Sequence, residues 1–284
     1  MKNFKVIWVL ISFALLNIVI GCKKENKNVL DTDTEVASDN DIAEKEATNV
    51  LDAVEKSAND KLGKTEGTIL LPSCAIVTVD TNSSTRTLII DFGNSPQGCL
   101  CSAWDGKYRK GKIILNWVGN YKETGSVHTI KTLDYFVGNG TDFNQHKLMK
   151  TVTNNGRNNF DNLTYSVDVK DTVILANNSG TITWMSKKTR EWTAGERTIF
   201  NPFDDEYKIW GTASGVTRSG KIFNVKVDQS TPLHIKLNCK WIVSGILEIT
   251  PQGKTTRIVD YGNGNCDSYA NVNINGTNFQ IVLK

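Results

Sequence analysis

The feature that most constrains this chain is an internal repeat bracketed by cysteines. Cys74 opens one segment, whose return ends in Ile90-Asp91-Phe92-Gly93-Asn94, with Cys99 soon after. Cys239 opens a second, whose return ends in Val259-Asp260-Tyr261-Gly262-Asn263, with Cys266 soon after. The cysteine separations are 25 and 27 residues. A hairpin centred near Gln252 sets Cys239 opposite residue 265, one place from Cys266. Disulfide Cβ atoms lie about 3.5–4.5 Å apart, near the spacing of a non-hydrogen-bonded cross-strand pair. Cys239–Cys266 is therefore an expected disulfide, and Cys74 takes either Cys99 or Cys101. Glycine after Asp-aromatic supplies a positive φ, and Asp or Asn bonds the local backbone. A repeated turn accounts for Asp91 and Asp260 in both copies, which a single active site would not require.

A second element is also shared. Gly106-Lys107-Tyr108-Arg109-Lys110-Gly111-Lys112-Ile113 and Gly215-Val216-Thr217-Arg218-Ser219-Gly220-Lys221-Ile222 agree at five of eight positions. Arg109 and Arg218 are expected to be structural, each bonding a nearby carbonyl or carboxylate beside a Gly-Lys corner. The competing use is a paired anion-binding site.

From Ile69 onward apolar residues recur with period two. Ile113, Leu115 and Trp117 alternate with Lys112 and Asn116; Leu163, Tyr165, Val167 and Val169 alternate likewise, as do Leu233 to Val243. Such alternation buries one face of an antiparallel strand. Turn signals recur about every ten residues, among them Gly138-Asn139-Gly140, Asn154-Asn155-Gly156 and Pro251-Gln252-Gly253. The expectation is an all-β fold: an antiparallel meander forming a large curved sheet, open barrel or sandwich, with a short N-terminal helix.

Residues 1–21 read as a lipoprotein signal peptide. Lys2 and Lys5 precede an apolar run from Val6 to Ile20, which ends in Val19-Ile20-Gly21-Cys22. Cys22 is the expected lipidation site, and acyl chains on it would anchor the chain to a membrane. Residues 22–66 form an acidic tether; six lysines face eleven acids over 23–62. Within it Ile42, Ala43, Ala47, Val50, Leu51, Val54, Ala58 and Leu62 recur at helical spacing. Asp39 or Asp41 is placed to cap this helix, whose alanine-rich stripe suggests weak docking. Residues 67–284 form the disulfide-stapled β domain. A formal net charge of +3 gives no dense basic face of the kind nucleic-acid binders carry, so nucleic acid is not an expected partner.

Catalytic motifs are missing. His128, His146 and His234 lie in unrelated contexts, no metal pattern stands out, and no cofactor is expected. Leaving aside Trp8, six tryptophans remain. Trp117 and Trp241 share the core phase of their strands. Trp104, in a loop, and Trp192, in a polar stretch, are the candidates for an exposed aromatic platform.

The lipobox, the acidic spacer with its alanine-rich helix, the paired Asp-Phe/Tyr-Gly-Asn…Cys motifs and the Gly-x-x-Arg-x-Gly-Lys-Ile elements together resemble a family of uncharacterised lipoproteins of Bacteroidetes and flavobacteria. The resemblance covers nearly the whole chain. It implies a location, the outer membrane with the domain facing the periplasm or the cell surface, and carries no activity. The expected role is a non-enzymatic binding or structural module. Its partners would be the membrane, through the anchor, and a glycan or other acidic envelope component. The alternatives are a carbohydrate-active hydrolase and a carrier of hydrophobic ligands.

Overall fold

The computed structural model describes residues 35–61, 71–101, 105–198, 202–239 and 241–283. Cys22 with its lipobox, and Trp104, lie outside them. One helix, α1 (Glu35–Lys61), precedes sixteen described strands. These are β1 (Ile76–Asp80), β2 (Arg86–Asp91), β3 (Cys99–Leu100), β4 (Tyr108–Val118), β5 (Val127–Gly138), β6 (Phe143–His146), β7 (Met149–Arg157) and β8 (Leu163–Ile174). There follow β9 (Thr181–Ala194), β10 (Glu206–Val216), β11 (Ile222–Val227), β12 (Leu233–Lys236), β13 (Ile242–Pro251), β14 (Arg257–Asn263), β15 (Tyr269–Ile274) and β16 (Thr277–Val282).

All belong to one sheet, a meander running from β1 to β16, and the pairings are antiparallel. The expected all-β meander with an N-terminal helix is what the chain forms. The sheet does not close into a barrel, since β1 and β16 are the two ends of its order. Two places in the order are filled by broken strands. Short β6 and β7 share the place between β5 and β8, and β11 and β12 share that between β10 and β13.

Period-two alternation sets the inward face. In β8, Leu163, Tyr165, Val167, Val169, Asp171 and Val173 are buried while their neighbours are more exposed. One expected strand is corrected. The run Leu233–Val243 is not continuous: β12 stops at Lys236, where the Cys239 amide turns back onto the Lys236 carbonyl (2.9 Å), and β13 begins at Ile242. That turn brings Cys239 to Cys266.

The disulfides are Cys74–Cys99 and Cys239–Cys266, with Cα–Cα distances of 5.8 and 5.7 Å. Among the described residues Cys101 is a buried free thiol. Loops of this length lose enough unfolded-state entropy for each link to contribute roughly 3–4 kcal/mol.

The helix differs most from expectation. It spans 27 residues, and Asp39 and Asp41 lie inside it rather than at its cap. Val36, Ala43, Ala47, Val50, Leu51, Ala53 and Val54 are buried in the same core as Leu88, Ile113, Val167 and Leu247 of the sheet. It touches β2, β4, β8, β9 and β13. Weak docking is therefore corrected: the curved sheet wraps this helix and uses it as core. The stripe is alanine-rich because small side chains let the helix backbone approach the strands; the Lys150 ammonium reaches the Ala47 carbonyl itself, at 3.0 Å.

Candidate functional site

The concave face under α1 gathers charged side chains that a meander would ordinarily send to solvent. Asp39 and Glu46 are seven residues apart, two helical turns, and so share one face. Both are buried, and each meets an arginine of the repeated element.

At the first copy, Arg109 is fully buried on β4. Its guanidinium donates two parallel bonds to Asp105, both 2.7 Å, and its Nε donates to the Tyr135 hydroxyl at 2.9 Å. That hydroxyl donates onward to Glu46 at 2.7 Å, and the guanidinium lies 3.6 Å from the same carboxylate. Burial would raise the Glu46 pKa, but Arg109, His146 and the bonds from Tyr135 and Asn49 outweigh it, so the carboxyl is held below its usual range. The Tyr135 phenol is pushed well above its usual value, first by burial and then by Glu46.

At the second copy, Arg218 is one-third exposed. Its backbone amide and its Nε each donate to Asp39 at 2.8 Å. Beside it, Ser219 and Lys221 hold Glu35. Hydrogen bonds from Ser219 and Thr217, ahead of Lys221, lower the Glu35 pKa to about 2. The two copies differ locally. Arg109 sits within a strand, whereas Arg218 occupies the β10–β11 turn. The expected Gly-Lys corner is therefore a corner only in the second copy. In the first, Gly111 makes a bulge in β4, where its φ is +79° and a Cβ would lie 1.9 Å from the Asp134 carbonyl oxygen. Both arginines thus bond carboxylates of this chain, as the structural reading anticipates.

Further along α1, Trp184 Nε1 donates to the Asn40 amide oxygen at 2.9 Å, and Lys188 pairs with Glu44. His146 and Asp171 form a buried pair at 2.7 Å.

Beyond Glu44 the helix roofs a cavity of about 90 Å³ over β7–β10 and β12. Leu51, Val167, Val169, Ile209, Ile235 and Leu237 form apolar walls. The cavity's polar lining includes Glu44, Thr48, Asp52, Lys150, Lys188 and Arg190, the last with its guanidinium 3.6 Å from the centre of the Tyr207 ring. Trp192 is not an open platform. It is half-buried, its Nε1 donates to Asp205 at 3.1 Å, it packs on Tyr207, and the Lys122 ammonium covers its ring at 4.8 Å. Trp192 and the two arginines therefore do not converge on one site.

Sequence reasoning missed Asp39, Glu44, Glu46, Tyr135, Lys150 and Lys188. A signal existed for three of them. Lys188 and Arg190 share the inward phase of Trp184, Lys150 that of Val152, and Glu46 falls within the Ala43–Ala47–Val50 stripe.

Comparison with protein-family models, with curated proteins and with solved structures gives no match to this chain. The site therefore has to be interpreted from its own geometry.

Proposed function

We propose that this chain is a lipid-anchored protein of the cell envelope whose β domain is a non-enzymatic binding module, with its ligand site in the cavity under α1. The observation that carries this reading is a cavity of about 90 Å³ between the helix and the sheet, partly open to solvent, with apolar walls and several charged and polar side chains in its lining. Pockets of this make-up fix a ligand's orientation through a few polar groups and derive affinity from apolar contact. The charged groups of the concave face outside the cavity are engaged structurally. Arg109, Arg218, Asp39 and Glu46 hold the helix, and the His146–Asp171 pair is at most 3% exposed, out of a substrate's reach.

The resemblance to flavobacterial lipoproteins supports lipidation at Cys22 and an outer-membrane location, facing the periplasm or the outside. Radioactive palmitate should label the chain and should not label Cys22→Ser; labelling of that variant excludes this anchor. A hydrophobic-ligand carrier is the second reading, favoured by the aliphatic walls. Glycan-array and lipid-overlay binding of residues 33–284 separates the partner classes. Robust hydrolysis of a carbohydrate panel, without binding on either array, overturns the non-enzymatic reading.

A further inference from the structure

We infer that two copies of this chain associate edge to edge through β16, which pairs antiparallel with itself about a two-fold axis at Gln280. The last hairpin sets the phase. β15 and β16 are joined by Asn275-Gly276, both at positive φ (+52° and +81°), with Ile274 opposite Thr277. A two-residue turn of this kind closes on a hydrogen-bonded pair, and bonded and non-bonded pairs alternate from there. Thr277, Phe279 and Ile281 therefore bond β15. Leu283 keeps the phase, its amide donating to the Ser268 carbonyl at 2.7 Å. Asn278, Gln280 and Val282 turn their amides and carbonyls the other way. β16 ends the order of the sheet, so no strand meets them there.

Proteins ordinarily blunt such an edge with charge, proline, a bulge or a covering element. β16 reads Thr-Asn-Phe-Gln-Ile-Val, and its pairing with β15 runs without a register shift. It carries neither charge nor proline, and its apolar side chains are open to solvent on both faces, Ile281 at 38% and Val282 at 63%.

The strand is complementary to itself. About an axis at Gln280, that residue faces Gln280 of the second copy and Asn278 faces Val282, so the free backbone groups of each copy bond those of the other. On the concave side Phe279 faces Ile281 in both directions, an aromatic against a β-branched side chain, which stabilises a sheet. Val272, opposite Phe279 on β15, extends that apolar cluster. No like charges are brought together. Pairing β16 with β1 of another copy would be head-to-tail and would leave an edge open at every step, whereas β16 on β16 closes at two copies.

The test is sedimentation of the full chain carrying Cys22→Ser, which removes both the acyl chains and a thiol that could link copies. The chain should pass reversibly from monomer to dimer below about 1 mM, the weak end of specific association. Hydrogen exchange at Asn278, Gln280 and Val282 should slow as the dimer forms. Gln280→Pro removes an amide that β15 does not use, so the hairpin should survive while dimerisation weakens by about tenfold or more. Ile281→Lys sets two ammonium groups side by side, and serves if the proline variant fails to fold. Gln280→Cys should give a disulfide-linked dimer under mild oxidation, because a hydrogen-bonded pair has Cα atoms about 5.5 Å apart. Asn271→Cys, one strand back from the edge, should not. A chain that stays monomeric at about 1 mM overturns the inference. So does a dimer that Gln280→Pro and Ile281→Lys leave intact, or an assembly that grows beyond two copies.

Discussion

The two copies of the Gly-x-x-Arg-x-Gly-Lys element perform one task at different depths. Arg109 is fully buried in a strand and serves three groups, Asp105, Tyr135 and, at longer range, Glu46. Arg218 sits in a hairpin turn, is one-third exposed, and serves Asp39. Their lysines also diverge: Lys112 pairs with Asp91 of its own Asp-Phe-Gly-Asn turn, and Lys221 with Glu35 of the helix. A repeated motif thus becomes a pair of grips on a single helix. What the copies share is the partner, a carboxylate of α1; the local backbone is free to differ.

The largest expected effects come from breaking each grip alone. Arg109→Met removes the charge partner of buried Glu46 and of partly exposed Asp105, and removing one member of a buried charge network costs about 3–5 kcal/mol. Arg218→Met leaves Asp39, itself buried, but beside a turn that water reaches, so a loss of about 1–3 kcal/mol is expected. Urea unfolding of both single variants and the double variant measures the difference. The two grips lie on one helix, so the double variant should show coupling rather than simple addition. Equal losses at the two sites would erase the distinction in depth.

Much of this fold was legible in the sequence, and the reasons it was differ from the reasons the site was not. Alternation in segments such as Leu163–Val169 fixed strand and face together, because side-chain period reports directly on burial. Gly93 and Gly262 announced turns, and each amide is indeed bonded by Asp91 or Asp260, at 2.9 and 2.8 Å. The helix was visible but its place was not. Asp39 looks like a solvent-facing acid, and Glu46, although it falls in the apolar stripe, has no visible partner until the arginines across the sheet are brought to them, and that distance in sequence exceeds any local pattern. The cavity was equally hidden, since it depends on which inward positions of β7, β9 and β10 lie under one stretch of α1. Cys99 and Cys101, two residues apart in one short segment, could not be told apart as partners of Cys74 without the backbone path that leaves Cys101 buried.

Acid should loosen α1 from the sheet. Glu35 titrates at about 2 in the folded protein against 4.5 for an unperturbed group. A depressed folded pKa means that the stabilisation is present above the unfolded value and is lost as pH falls through the folded one. Glu46 and Asp105 are shifted in the same direction. Stability should therefore fall as pH drops from about 5 toward about 2, with no loss from these groups on raising pH above neutrality. Glu35 keeps its carboxylate until pH approaches about 2, so its share of the stability should be lost at the acid end of this range, and hydrogen exchange along α1 followed from about pH 5 to about 2 reads it. Simultaneous loss along the helix would show that the two ends unlatch as one unit.

The smallest expected difference concerns the two Asp turns, which are alike where the arginines are not. Asp91 and Asp260 each accept a bond from the glycine amide two residues on. Losing that exposed bond should cost about 0.5–1 kcal/mol in either Asp91→Ala or Asp260→Ala. Asp91 also pairs with Lys112 at 2.8 Å, but the two side chains are 32% and 43% exposed, a setting in which an ion pair contributes about 0–1 kcal/mol. Asp91→Ala should therefore exceed Asp260→Ala by less than about 1 kcal/mol, and about 0.5 M salt should shrink that margin by screening the pair. Chemical denaturation at low and high salt reads this directly. A loss of several kcal/mol at either position would mean that the aspartate does more than shape its turn, and would reopen the case for a functional carboxylate there.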